Sequence, residues 1–445
     1  MSSKPLGRNY AKLFAASTLS NLGDGVGQIA YPWLASALTR NPVLIALVAV
    51  ASRLPWLVMT LPAGALADRY DRSRLMVSAN SFRALLTVGV TVMVFTRRDS
   101  LPSPDQLDAG FLVDTDITAY IVLLVATLLL GCGEVIYDNA AQTIMPSLVD
   151  TDQLEKANGR LWSAEQVGNT AVGPILGSLL LAISFSIPFG FDAATFAIAA
   201  IFIATLPKQP RPKQTGATEA PNMRAEIAEG LRWLWNHEFL RHLAIILGLF
   251  NMLGAIGGAT LVLFAQEVLA LSPTEFALLG TGGAVGGIIA GWAADSVTSR
   301  LSSGPTLALA IAIGGMSSLV IGLSSSAIIV WAMFATFIFF AVMWNVITVS
   351  LRQSVIPDEL LGRVNSVYRM FAWGSIPVGA LAGGLIIALA ETGGLDRLTA
   401  LRAPWIVTGL LHLPLLIYAA PKLTTAKIDA VRAEAVGDGT DTAEQ

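Results

Sequence analysis

Runs of about twenty apolar residues, each closed by a short polar or charged turn and then begun again, recur along this chain from one end to the other. A bilayer core of roughly 30 Å needs about 20 residues per helix at 1.5 Å per residue, because backbone polar groups must be satisfied within the segment. That length marks twelve segments, at 12–37, 43–66, 75–96, 118–140, 160–183, 187–206, 241–267, 274–295, 304–324, 327–350, 365–390 and 402–420. Composition agrees. With 54% hydrophobic and only 13% charged residues and a mean hydropathy of +0.64, a chain of 445 residues cannot cover a water-soluble surface. The expected class is an all-α polytopic membrane protein whose first partner is the lipid bilayer.

The first segment follows a basic head with Lys4, Arg8 and Lys12 that is similar to the start of a signal peptide. It runs on to about residue 37 with no small-residue cleavage site, so it is expected to be retained as helix 1. The single cysteine, Cys132, sits in an apolar run and reads as a small core side chain. The formal net charge of −3 says little here, because the placement of Lys and Arg matters more than their sum. No basic face with interleaved aromatics points to nucleic acid.

The basic residues give an orientation. Arg69, Arg72 and Arg74 follow helix 2, Lys156 and Arg160 follow helix 4, Lys208, Arg211, Lys213 and Arg224 follow helix 6, Arg352 and Arg363 follow helix 10, and Lys422, Lys427 and Arg432 follow helix 12. All fall on one side, which the positive-inside rule makes cytoplasmic together with both termini. On the other side, the loop 97–117 carries Asp99, Asp105, Asp108, Asp114 and Asp116 and reads as a solvated external excursion. The segment 207–240 opens with a Pro- and Lys-rich linker. It then places Ile227, Leu231, Leu234 and Trp235 on one helical face, which suggests an amphipathic helix along the cytoplasmic surface. The expected division is therefore 1–206 for a first six-helix bundle, 207–240 for the linker, 241–421 for a second bundle and 422–445 for a polar cytoplasmic tail, disordered beyond about residue 433.

The two halves repeat one another. Gly64-Ala-Leu-Ala-Asp68 after helix 2 returns as Gly291-Trp-Ala-Ala-Asp295 after helix 8, an offset of 227 residues, and Asn21 in helix 1 meets Asn251 in helix 7 at 230. Gln142-Thr-Ile-Met-Pro146 returns as Gln353-Ser-Val-Ile-Pro357 at 211, and the long loop 97–117 can supply the difference. Such duplication is the mark of pseudo-symmetric transporter folds, here two six-helix halves in the same orientation.

The turn at 64–74, with a Gly, three apolar residues, Asp and then Arg69, Arg72 and Arg74, resembles the signature between helices 2 and 3 of the major facilitator superfamily (MFS). The resemblance covers essentially the whole chain. Asn21-Leu-Gly-Asp24-Gly, Pro146-Ser-Leu-Val with Asn158, and Pro357-Asp-Glu-Leu-Leu-Gly-Arg363-Val-Asn365 are similar to the bacterial branch of macrolide-efflux and enterobactin-export proteins. Gly173-Pro174-Ile-Leu-Gly177 in helix 5 resembles the glycine-proline motif of antiporters, with Asn169 where an upstream glycine belongs. Asp71 and Ser73 stand where the signature usually has a second glycine and a basic residue. The resemblance implies two bundles rocking around a central cavity. It further implies that Gly64, Asp68, Arg69 and Arg72 form a gating latch, with Asp68 meeting the start of helix 11 and a neighbouring Arg bridging to Asp138. Gly291 and Asp295 would be its copy in the second half. A plain topological anchor is the competing role for the same cluster.

Four charged residues stand out inside the apolar spans: Asp24, Arg53, Arg83 and Glu134. Each costs roughly 2.5–3.5 kcal/mol on insertion scales, so they should face one another or a wet cavity. By depth, Asp24 and Arg53 lie near the midplane, and Arg83 and Glu134 form a plausible shallower pair. At the 211 offset Glu134 becomes Asn345, so the second half keeps a polar group and drops the charge. Asp24 and Glu134 are therefore the candidates for proton coupling, with a structural partnership to Arg53 and Arg83 as the even alternative. By analogy with the superfamily, helices 1, 4, 7 and 10 line the cavity, with Gln28, Trp33, Asn251, Trp344 and Asn345 as substrate-contact candidates. Trp33 competes with an interfacial-anchor role, and His412 reads as a packed histidine.

These residues suit a bulky amphipathic solute, hence drug or multidrug efflux by a proton-coupled antiporter. The alternatives are export of a native metabolite such as a siderophore and a non-transporting receptor. An enzyme is not expected, because no histidine pair has metal spacing and no phosphate-cradling Gly-rich loop ending in Lys is present. No metal or cofactor is expected. The chain is expected to act as a monomer in a bacterial inner membrane, with protons and a small-molecule substrate as partners.

Overall fold

The computed structural model describes residues 6–107, 114–150, 153–207 and 223–441, and among these there is no β-strand. Among the described residues ten helices are long and apolar enough to cross a membrane by length and composition. Helix 1, Arg8–Leu38, at 31 residues is also long enough but more polar, because it carries Ser20, Asn21 and Asp24. Helix 2 is a shorter apolar helix, Pro42–Val58, that breaks at Met59 and resumes as Thr60–Arg69. The break follows from Pro62, which has no N–H to offer the carbonyl of Val58. Most helices overrun the spans expected from hydropathy. Helix 3 is Arg72–Thr96, helix 4 is Ile117–Ile144 and helix 5 begins at Leu154, because amphipathic end turns lie outside the apolar core that hydropathy detects.

Two compact units result. One comprises Met1–Thr215 with Leu261–Gly280, the other Gly216–Thr260 with Thr281–Gln445. In the first, helix 6 (Ser186–Ala204) packs on helices 1 and 3, helix 3 on helix 4, and helix 1 on helix 5. In the second, helix 7 (Glu238–Gly258) and helix 9 (Ser303–Leu323) both pack on helix 12 (Arg397–Ala419). There helix 9 also packs on helix 10 (Ala327–Val355), and helix 7 on helix 11 (Asp358–Gly374, then Ile376–Thr392). The same pairings six helices apart are the three-dimensional form of the sequence repeat.

The 1–5 and 7–11 crossings are close. A Cβ at Gly173 would lie 2.6 Å from the Cα of Gly25, and one at Gly177 would lie 2.7 Å from the carbonyl of Val26. Gly379 and Gly383 stand in the same way against the carbonyls of Met252 and Ile256. Both helices thus use glycines four residues apart to bring backbones together, the device that replaces hydrophobic association in lipid. Helix 5 carries a π-helical turn, Val167–Val172, in which the N–H of Gly173 reaches back to Gly168. Pro174 follows at once and has no N–H to restore the regular ladder.

Two expectations change, and a third gains a partner. The helix Met223–Asn236, expected along the cytoplasmic surface, packs against Asp358–Gly374: Leu234 is 1% exposed, Ile227 joins the same core and Glu229 pairs with Arg363 at 2.7 Å, while Leu231 and Trp235 stay exposed. The tail is not irregular from 433, since Thr425–Asp441 is helical and Ile428 is fully buried with Val431 packed beside it. Its apolar residues are too few to register in composition, yet they share one face. Finally, the described part of the loop 97–117 is pinned: Leu107 is buried, the Pro104 carbonyl accepts from Trp33, and Arg97 pairs with Asp116 at 2.9 Å. Asp116 also accepts from the backbone of Ala119, which with Arg97 holds its carboxyl below the usual range.

Gly173→Ala should lower stability by about 1–3 kcal/mol, because backbone rather than a flexible side chain must yield. Gly64→Ala meets open space and should change it by no more than about 0.5 kcal/mol. Thermal unfolding of the detergent-purified protein, followed by intrinsic fluorescence, reads both.

Candidate functional site

Helix 1 reads Ser20-Asn21-Leu22-Gly23-Asp24-Gly25, with Ser20 and Asp24 one turn apart on one face. Across from them, Arg83 of helix 3 is 2% exposed and donates to the Asp24 carboxylate, to Ser20 at 3.3 Å and to Asn80 at 3.4 Å. Its guanidinium carbon lies 3.9 Å from the centroid of the Phe196 ring of helix 6. Gly133 of helix 4 leaves the room, since a Cβ there would stand 2.7 Å from the Arg83 side chain. Four helices therefore meet on one buried cation, held by an ion pair, neutral acceptors and an aromatic face.

The pairing differs from the one expected by depth: Arg83 meets Asp24, not Glu134. Arg53 is exposed on helix 2, and no ion pair is seen for it among the described residues. Depth fixes how far along a helix a residue lies but not which way it faces. Glu134 and Asp138, on helix 4, are partly buried within electrostatic reach of Arg83. So is Asp192 of helix 6, a residue the sequence reading passed over, which is 3% exposed. The signal for it was present, since it is a lone carboxylate in the run Phe-Gly-Phe-Asp-Ala-Ala-Thr-Phe.

In the turn after helix 2, Arg72 donates to the Thr143 carbonyl at 2.7 Å, at the end of helix 4, rather than to Asp138. Helix C-terminal carbonyls carry partial negative charge and want such a donor. Asp71 accepts from the backbone N–H of Arg74 at 2.9 Å and so caps helix 3, which accounts for an acid where the signature has glycine. Arg69 is exposed, and Gly64 and Gly291 each border open space, so no packing in this conformation requires glycine there. The side chains of Asp68 and Asp295 lie outside the described residues.

The substrate-contact candidates divide. Gln28 is exposed on helix 1, and Asn345 is exposed on helix 10 with its amide donating to the Ala341 carbonyl. Asn251 donates at 2.8 Å to the Ala372 carbonyl of helix 11, close to the break before Ile376. Trp33 and Trp344, each 1% exposed, are core side chains and not lining. Trp33 is fixed by the Pro104 carbonyl and by Phe276, while Trp344 stacks on Phe250 at 5.8 Å. An indole satisfies either a cavity or a core pattern equally well in sequence. His412 is packed, with Nδ1 2.7 Å from the Thr408 carbonyl and its ring edge-on to Phe250.

Helix 5 supplies the last element. Asn169, in the π-helical turn, donates to Asn21 at 3.3 Å, so the residue in place of the motif glycine ties helix 5 to helix 1. Beside this bond a cleft of about 780 Å³ opens between the two helices. Its walls are largely apolar, from Phe14, Leu22, Val167 and Val172, and Lys156 and Arg160 contribute positive charge. Among the described residues no group of His, Cys, Asp and Glu could hold a metal ion.

Removing the guanidinium leaves Asp24, partly buried, without its partner. Arg83→Gln should cost on the order of 3 kcal/mol, and adding Asp24→Asn should return more than half of it. Thermal unfolding of the two single variants and the double variant checks this; additive losses would contradict it.

A family model described as the Major Facilitator Superfamily matches residues 13–380. Among curated relatives, the multidrug efflux pump Tap of Mycolicibacterium fortuitum is 27% identical, over 89% of this chain and 93% of its own. The enterobactin exporter EntS of Shigella boydii is 24% identical, over 84% and 85%. Among solved structures, a bacterial homologue of the iron transporter ferroportin superposes with a TM-score of 0.67 at 15% identity, covering 93% of this chain and all of that one. The nucleoside transporter NupG gives 0.64 at 13%, covering 94% and 99%. At such identities the likeness is one of fold.

Proposed function

Because the chain belongs to the Major Facilitator Superfamily, we propose that it exports small amphipathic molecules by alternating access, driven by protons moving the opposite way. The observation that carries this reading is the buried cation of helix 3. Arg83 is one positive charge with Asp24, Glu134, Asp138 and Asp192 within electrostatic reach, more carboxyl groups than it can neutralise. Unpaired anions at such depth are costly, so protons complete the balance, and a cluster that must bind protons is suited to exchanging them. Asp24, which holds the cation, and Glu134, beside the glycine that makes room for it, are the coupling candidates. The second unit offers the apolar counterpart, with Phe250, Trp344 and His412 packed where the first has charge.

The cleft between helices 1 and 5 supports the substrate class. Its apolar walls take a hydrophobic body, and Lys156 and Arg160 favour neutral or anionic polar groups over cationic ones. Tap, described as a multidrug efflux pump, supports a broad drug range. A siderophore-like native metabolite is the second reading, favoured by the same two cations and by the enterobactin exporter among the relatives. In this account the basic turns face the cytoplasm, both termini lie there, the protein works as a monomer in a bacterial inner membrane, and Arg72 and Asp71 stabilise one end state of the helix 2–3 turn.

Inside-out membrane vesicles loaded by respiration test the coupling. The wild type should concentrate a lipophilic dye from the panel it transports only while the interior is acid, and an uncoupler should abolish this. Asp24→Asn or Glu134→Gln should lose gradient-driven accumulation while still exchanging dye down its own gradient. Full coupled transport in both variants would end the assignment.

A further inference from the structure

The carboxylate of Asp192 is the group in this bundle whose surroundings the ion pair does not explain. It lies on helix 6, 3% exposed, and its Oδ1 has no hydrogen-bond partner among the described residues. Its two oxygens lie over the small residues of helix 1: a Cβ at Gly23 would collide with Oδ1 and with Thr195, and one at Gly27 would be 4.0 Å from Oδ2. Asp192 thus presses against the helix that carries Asp24, one residue past Gly23.

Phe196 follows Asp192 by four residues and so stands on the same face of helix 6, about 6 Å along the axis at 1.5 Å per residue. It is the ring on which the Arg83 guanidinium rests, 3.9 Å from centroid to carbon. Arg83 is paired with Asp24, but its Nε is buried without a hydrogen-bond partner among the described residues. The attraction of a guanidinium to an aromatic face does not use up its N–H donors, so Arg83 can keep the ring while it changes carboxylate. The charged and titratable groups facing Asp192 are Asp24 and Tyr31 on helix 1, Arg83 on helix 3 and Glu134 on helix 4. Among them there is one cation, and it is engaged.

A buried carboxylate with an unsatisfied oxygen and no cation of its own is not stable as an anion. We propose that Asp192 is a proton-binding acid that stays protonated while Arg83 holds Asp24, and that it gives up this proton and takes over Arg83 when Asp24 becomes neutral. The exchange balances: Asp24 gains one proton, the O–H bond of Asp192 loses one, and the guanidinium changes partner without changing charge. Gly23 serves this exchange by leaving helix 1 bare where the second carboxyl sits. The inference rests on the proton-coupled reading above and adds to it the group that stores the proton between turnovers.

Infrared spectroscopy of the purified full-length protein tests it. The carbonyl band of protonated carboxyl groups is read at about pH 8, where an ordinary carboxyl is ionised. The wild type should show the band, and Asp192→Asn should lose one carboxyl's share of it. Asp24→Asn should lose the same share, because the freed guanidinium passes to Asp192. A wild type without the band, or a band undiminished in Asp192→Asn or in Asp24→Asn, overturns the proposal. If Asp192→Asn does not fold, the wild type and Asp24→Asn decide the matter between them. The spectra read a proton on the resting protein, so vesicle transport that proved independent of protons would overturn the coupling reading and leave the band unchanged.

Discussion

One guanidinium in an apolar interior governs the first unit. Arg83 cannot reach water from where it sits, so the helices around it are built to satisfy it. Helix 1 brings Ser20 and Asp24, helix 4 gives up a side chain at Gly133, and helix 6 offers the face of Phe196. A buried pair of this kind contributes little net stability, since desolvation offsets most of the attraction, but removing either partner is expensive. It therefore acts more as a specification of how four helices must meet than as a source of stability. The second unit meets the same packing problem without charge, with Trp344 stacked on Phe250 and His412 edge-on to it. The duplication has kept the architecture and divided the chemistry.

Glycine accounts for much of the rest. In lipid there is little hydrophobic gain from pairing helices, so close backbone contact must supply the attraction. Gly25 against Gly173, and Gly379 against the Met252 carbonyl, show the same solution in both units. Where such a crossing meets a proline the helix gives locally, in a π-helical turn before Pro174 and a break before Pro377. In both places an asparagine joins the two helices, Asn169 to Asn21 and Asn251 to the carbonyl of Ala372. The repeat of Asn21 and Asn251 seen in the sequence thus has a common purpose, reached through different partners.

The architecture was legible because its two strongest signals, apolar length and internal repetition, are properties of the chain itself. Helix ends were less so, since capping residues such as Asp71 and the amphipathic turn before Lys156 lie outside the apolar core. The site was legible as a set of residues and not as a set of contacts. Asp24, Arg83 and Glu134 stand out because each is costly in hydrocarbon, but depth along a helix could not say that Arg83 turns toward Asp24 or that Arg53 turns outward. Trp33 and Trp344 show the converse limit, because an indole that fills a core and one that lines a cavity have the same sequence signature. Asp192 carried the same signal as Asp24 and gained meaning only when Phe196 placed it beside the cation.

The central claim is that this cluster trades protons as the transported molecule binds. Isothermal titration of a transported lipophilic compound into the purified protein, repeated in buffers of different ionisation enthalpy, measures that trade directly. Heat that varies with the buffer in the wild type, and no longer does so when Asp24 is replaced by Asn and Glu134 by Gln, is the expected result. Heat independent of the buffer in the wild type would contradict the account.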